Sequence, residues 1–148
     1  MRKFGYSRAA SGFTVLELIV AIGIASIVMG IAIPSFLSWL PTLRLSSAAR
    51  QVATDLQVAR MKAISQNTAN TVTFTPSTGT YTFTLGAESR DIDVLYPGIT
   101  IASASNPTFT PRGTANAAAT ITLSNGSAQK LVCVKTVGRV NIADSSCT

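Results

Sequence analysis

The residue with the largest chemical consequence in this sequence is Glu17. It stands at the head of residues 18–43, a run without Lys, Arg, Asp or Glu in which Ile, Val, Leu and Ala dominate. An ionised carboxylate inside a bilayer costs a few kcal/mol even on lenient scales, and residues of this kind are functional candidates by default. Glu17 therefore requires a neutralising partner, and a positively charged amine is the nearest chemical candidate.

The other reactive residue types are few. The 148 residues include no His and two Cys, Cys133 and Cys147. Without His there is no Ser–His or Cys–His pair. No metal-ligand cluster and no phosphate-cradling glycine loop is found either. The reading is of a chain that is not an enzyme, with no catalytic residues, no metal and no cofactor. The cysteines do not form a C-x-x-C pair, and in an exported domain an even pair is expected as a disulfide. Such a bridge closes a loop of roughly 15 residues, worth about 3 kcal/mol in the chain-entropy description. Glu88, Asp91 and Asp93 form a small acidic group, expected to be a solvated face.

The elements that must carry these residues follow from composition and period. Hydrophobic residues make up 47% of the chain and charged residues only 12%, and the apolar excess is concentrated between Phe13 and Leu40. That stretch exceeds the roughly 20 residues a helix needs to span a hydrocarbon core. Arg2, Lys3 and Arg8 precede it, so the N-terminus is expected in the cytoplasm and the bulk of the chain outside it. The formal charge is +6; without those three cations nine Lys and Arg face six acids, a mild excess of +3. The apolar run is too long for an ordinary cleaved signal peptide and has no A-x-A-like site. A plain signal anchor accounts for its length but not for Glu17. Pro34 lies inside it, where a kink or a locally unwound stretch is expected; Pro41 is a second breaker.

After Pro41 the period changes. Leu45, Ala49, Val52, Leu56, Ala59 and Ala63 recur at alternating spacings of four and three, one apolar stripe on an amphipathic helix. Arg50, Gln51, Asp55, Gln57, Arg60 and Lys62 lie mostly off it. From Asn70 onward the signals are of strands. Residues 71–75 and 80–85 alternate around a Pro76–Gly79 turn cluster, which predicts a β-hairpin. Residues 92–94, 99–102, 108–110, 120–123, 131–136 and 139–142 are further short strand candidates. An α+β fold results: a long N-terminal helix packed on a C-terminal antiparallel β-sheet domain.

Gly12-Phe13-Thr14-Val15-Leu16-Glu17-Leu18-Ile19, continued through Ile33-Pro34, resembles the class III signal of type IV pilins and type II secretion pseudopilins. The resemblance implies a leader over residues 1–12. By the same resemblance a prepilin peptidase is expected to cut between Gly12 and Phe13, leaving Phe13 as the N-methylated first residue. Gly12, lacking a Cβ, lets a protease approach the backbone closely. Glu17 is then the fifth mature residue, and neutralises the Phe13 amine of a neighbouring subunit during assembly. The expected organisation is leader 1–12, helix 13–66 (transmembrane about 18–40, amphipathic about 43–66) and a β-rich periplasmic domain 67–148, anchored by one pass in a bacterial inner membrane.

Residues 108–113, 120–123 and 132–140, the last containing Gly138-Arg139, are similar to the GspH/FimT family of minor pilins and pseudopilins. By that resemblance the partners are prepilin peptidase, other minor subunits and the major subunit. The role is structural, foremost in a type II secretion pseudopilus, with a FimT-like type IV minor pilin as the alternative. Some FimT-like proteins bind DNA through Gly-Arg-x-Arg. The matching residues are Gly138, Arg139, Val140 and Asn141, with Asn141 in place of the second Arg. Arg112, Lys130 and Lys135 join Arg139 in the basic patch implied. The competing reading gives Gly138 to a turn and Arg139 to a solvated strand.

Overall fold

A computed structural model describes residues 13–147, except the side chains of Pro34 and Ser35. The leader with Gly12, Arg2, Lys3 and Arg8 lies outside the described residues. The chain divides into two units, Met1–Ser38 and Trp39–Thr148.

Helix α1, Val15–Ser65, has defined stops at both ends. Thr14 and Glu17 have the spacing of a capping box. The Thr14 hydroxyl accepts from the Glu17 amide at 3.2 Å, and the Thr14 carbonyl from the Leu18 amide at 3.1 Å. At the far end Asn67 takes the left-handed conformation (φ +49°). The Thr68 amide then reaches the Ala63 carbonyl at 3.1 Å and the Asn67 amide the Ile64 carbonyl at 3.2 Å. That pair of bonds is a Schellman closure with Asn in the position usually held by Gly. The helix runs through Pro34 and Pro41 without interruption, so the backbone has no unwound stretch there.

In the first unit, Val15–Ile33 is a 19-residue apolar helix of which 0% is buried by the rest of the chain. Such a helix, apolar all round, needs lipid or other helices as its solvent.

In the second unit the later part of α1 is the spine of the core. Every residue of the predicted stripe, from Leu45 to Ala63, is buried, and Ala48 and Ala53 widen it. Two four-stranded antiparallel sheets pack on it. The first has the order β3-β2-β1-β5, from β1 Asn70–Thr75, β2 Thr80–Phe83, β3 Ser89–Asp91 and β5 Thr108–Phe109. The second has the order β4-β6-β7-β8, from β4 Thr100–Ala104, β6 Ala119–Ser124, β7 Gln129–Val134 and β8 Val140–Ala143. Alternation places Val72 and Phe74 of β1, and Ile121 and Leu123 of β6, in one continuous core with the helix. The expected β1–β2 hairpin forms, with Thr75 opposite Thr80 and β2 ending at Phe83, short of the predicted Leu85.

Residues 92–94 are not a strand. They form α2, Ile92–Leu95, because the Asp91 carboxylate accepts from the amides of Asp93 and Val94 and caps a helical turn. Ile92 is fully buried and anchors that turn.

Asp55 also departs from the sequence pattern. It is buried and accepts from the Tyr81 hydroxyl at 2.5 Å and from Gln51 Nε2 at 3.1 Å. Arg90 Nε lies 3.9 Å from the same carboxylate. Phe74 stacks on the Tyr81 ring at 5.2 Å and Phe83 meets it edge-on at 5.7 Å. The helix is thus tied to β2 by a buried polar contact within an aromatic cluster. Burial, then the bond to Asp55, raises the Tyr81 hydroxyl well above its ordinary pKa. The folded chain holds a proton that the unfolded chain releases near pH 10. This contribution to stability is present below that pH and is lost as pH rises above it. Tyr81→Phe is expected to cost about 1–3 kcal/mol and to flatten the alkaline loss of stability. Urea denaturation of the detergent-solubilised chain across pH, followed by near-UV circular dichroism, measures both.

Candidate functional site

Two places carry the residues singled out by the sequence. The first is the start of α1. Phe13 is 82% exposed and Glu17 lies exposed in the first turn of the helix. Thr14 serves as the cap, a role that the T-x-x-E spacing encodes.

The second is the turn between β7 and β8. The Gly138 amide donates to the Lys135 carbonyl and the Lys135 amide to the Arg139 carbonyl, both at 2.8 Å. Gly138 has φ +79° and sits against the Gly113 carbonyl so closely that a Cβ would lie 1.9 Å from its oxygen. Gly113 (φ +80°) ends its own turn, its amide bonded to the Thr110 carbonyl at 2.9 Å. Arg60, from the last turns of α1, donates from Nε to the Gly113 carbonyl at 2.6 Å. Three distant segments therefore converge on one carbonyl; Gly138 is required by space as well as by conformation, whereas a Cβ on Gly113 would meet only the ends of the Ile64 and Arg60 side chains, so its positive φ is the main constraint there. Arg60 was legible only as an off-stripe cation; its partner is a backbone atom 53 residues away.

Arg139 and Arg112 flank this junction and are exposed, and Lys135 belongs to the same turn as Arg139. Lys130 is not with them. It lies near the opposite end of β7, is ion-paired with Asp144 and lines a separate recess with Arg50 and Ser46. Asn141 Oδ1 is buried and without a hydrogen-bond partner. A groove of about 320 Å³ beside the junction is lined by Met61, Ile64, Val137 and Arg139, among others.

Cys133 and Cys147 form the disulfide, with Cα atoms 5.6 Å apart, pinning the C-terminal segment to β7. The three acids have different tasks. Asp91 caps α2, Asp93 accepts from the Gly98 amide at 3.2 Å, and Glu88 pairs with Lys62 and Arg90. Among the described residues no group of three or more acids or Cys has a metal-holding arrangement.

The two-glycine contact makes a graded expectation. Gly126 has φ +85° and open space around its missing Cβ, so Gly126→Ala carries only backbone strain, about 1 kcal/mol. Gly138→Ala adds overpacking against Gly113 and Arg60, for a total of roughly 3 kcal/mol or more. Denaturation midpoints of the two variants, side by side, check the difference.

The chain matches two families. Residues 48–138 match the family described as Type II transport protein GspH, and residues 7–33 match the prokaryotic N-terminal methylation motif. No curated protein sequence matches the chain. Among solved structures it is similar to the type IV minor pilin FimU of Pseudomonas aeruginosa strain PAO1 in two crystal forms. The TM-score is 0.55 in both, over 70% of this chain and 95% and 90% of the two FimU chains, at 20% and 21% identity. The shared fold is that of a pilin. The chain belongs to the GspH family of type IV pilin-like proteins, as a minor pilin or pseudopilin subunit.

Proposed function

We propose that this subunit is cut between Gly12 and Phe13 by prepilin peptidase, methylated on Phe13, held in the inner membrane by one helix, and assembled into the pseudopilus of a type II secretion system. The observation that carries this reading is the uncovered apolar helix of Val15–Ile33 headed by Thr14 and Glu17, inside the span that matches the methylation motif. A helix of this kind exchanges lipid for the helices of neighbouring subunits when a filament grows. The Phe13 amine produced by cleavage lies just before the helix cap, at the positive end of the helix dipole, where a cation is disfavoured. Glu17 of an adjacent subunit neutralises it. A carboxylate left unpaired within the bundle is costly, so the pair also sets axial register. Glu17 is an assembly residue and has no catalytic task.

The description of the matching family favours type II secretion. The likeness to FimU favours a second reading, a minor pilin of a type IV pilus. In that setting Arg139, with Arg112 and Lys135, offers phosphate contacts for DNA, each a salt-dependent increment; Lys130, paired with Asp144, does not join them.

Deletion of the gene, assayed in parallel for exoprotein secretion, surface pili and DNA uptake, separates the readings. Loss of secretion with normal pili is the expected result. Loss of pili or of DNA uptake with normal secretion assigns the subunit to a type IV pilus instead.

A further inference from the structure

The end of the second unit at which α1 enters it carries a group of exposed apolar side chains. Trp39 is the first residue of that unit, and Arg44 is the first charged residue after Glu17. Arg44 Nη1 donates to the Pro97 carbonyl at 3.4 Å, which sets the segment after α2 beside this part of the helix. The strands converge on the same end. β4 begins at Thr100 opposite Ser124, where β6 finishes, and Ser124 stands opposite Gln129, where β7 starts. Asp93 and Thr100 also line one recess with the Pro76–Gly79 turn. The Gly113–Gly138 junction is at the far end, against Arg60. Arg60 follows Arg44 by 16 positions, which along a helix is about 24 Å.

Ile92 is buried and anchors the α2 turn, whereas Val94 is 77% exposed and Leu95 is exposed beside it. On α1, Trp39 and Leu43 are exposed one helical turn apart, and Phe36 and Leu37, just before them in the chain, are exposed as well. Charge does not set this end apart. Arg50, Lys130 and Asp144 line one recess there with Ser46, and Lys130 is ion-paired with Asp144. Arg44 and Arg50 are matched in number by Asp91 and Asp93, whose carboxylates accept from backbone amides.

We propose that the α2 tip is a second, shallow membrane contact: Val94 and Leu95 enter the interfacial layer of the bilayer that anchors α1. This rests on the membrane-anchor reading above and adds one contact to it. The occupant follows from continuity along the chain. The apolar run that needs lipid does not stop at the border of the second unit, because Trp39 and Leu43 extend it. Trp is favoured where hydrocarbon meets headgroups, and Arg44 can lay its stem along apolar surface while its charge stays at headgroup level. Arg44 holds the α2 segment at that same level through the Pro97 carbonyl. With the charges balanced, the contact is apolar and does not call for anionic lipid. Two side chains make a weak contact alone. It becomes effective because the anchored helix keeps the tip at high local concentration beside the bilayer, and it is given up when the helix leaves the lipid.

The test uses the full-length chain, purified and reconstituted alone in phosphatidylcholine bilayers. Cys133 and Cys147 are bridged, so one added thiol, Val94→Cys or Val137→Cys, takes a small environment-sensitive fluorophore. Both positions are exposed, so neither change disturbs the core, and Val137 belongs to the far end. Quenching is measured with lipid that carries a nitroxide near the headgroup end of its acyl chain. Trp39, the one Trp of the chain, reports on the helix in the same samples. The expected result is quenching at position 94 several-fold above that at 137, with Trp39 quenched and no anionic lipid present. Leu95→Asp in the Val94→Cys chain should bring its quenching down toward the value at 137; no change means that the fluorophore alone enters the lipid, and overturns the proposal. Equal quenching at 94 and 137 with Trp39 quenched refutes this contact and leaves the anchor reading in place. Absence of quenching at Trp39 counts against the anchor reading itself. Position 94 unquenched in the pure bilayer, yet shielded from a water-soluble maleimide in cell membranes, gives the tip to a protein partner and also overturns the proposal.

Discussion

The structure depends on one unmet requirement: a 19-residue apolar helix that no part of its own chain covers. A soluble protein buries such a surface in its core. Here the core is complete without it, because the stripe from Leu45 to Ala63 already fills the space between the helix and the two sheets. The first unit is left to find an apolar environment elsewhere, in lipid or among other helices, and Glu17 stands at the point where that environment begins. A filament subunit needs this division, with one part of the helix committed to its own fold and the other to its surroundings.

The committed part is held by shape and by a few buried polar contacts. Small residues on the stripe (Ala48, Ala49, Ala59 and Ala63 are all fully buried) let the sheets approach the helix closely. Asn70 joins the two layers, donating to the Ala59 carbonyl and accepting from the Leu85 amide, both at 3.0 Å. Asp55 with Tyr81 and Arg60 with the Gly113 carbonyl do the same further along and at the end of the helix. A polar group buried in these places is costly unless its partner is present. Each contact therefore disfavours alternative registers of helix against sheet. The Gly-Arg pair acquires a structural meaning in this setting. Gly138 completes the seat around the Gly113 carbonyl, and Arg139 is held beside a groove by a turn that cannot easily shift.

Much of this was legible in the sequence because it rests on period and on local chemistry. The apolar stripe, the β1–β2 hairpin and the antiparallel sheets on a helix follow from 3.6- and 2-residue repeats. The pairing of Cys133 with Cys147 followed from there being only two cysteines in an expected exported domain. What was not legible depends on partners distant in sequence or on capping. Residues 92–94 look like a strand by composition, and the Asp91 cap makes them helical. Asp55 and Arg60 look like solvent-facing positions of an amphipathic helix, and only the fold supplies Tyr81 and the Gly113 carbonyl. Lys130 belongs by charge type with Arg112, Lys135 and Arg139, but it sits at the other end of β7 from Lys135, and Asp144 occupies it.

The central claim is that Glu17 is retained for assembly of the exposed helix. Its most direct test is Glu17→Ala in the full-length chain, with two quantities measured in the same cells: cleavage of the leader, and the share of the subunit in sheared filaments relative to the inner membrane. The account predicts normal cleavage and methylation with a marked fall in the filament share. Normal incorporation of the Glu17→Ala subunit would contradict it.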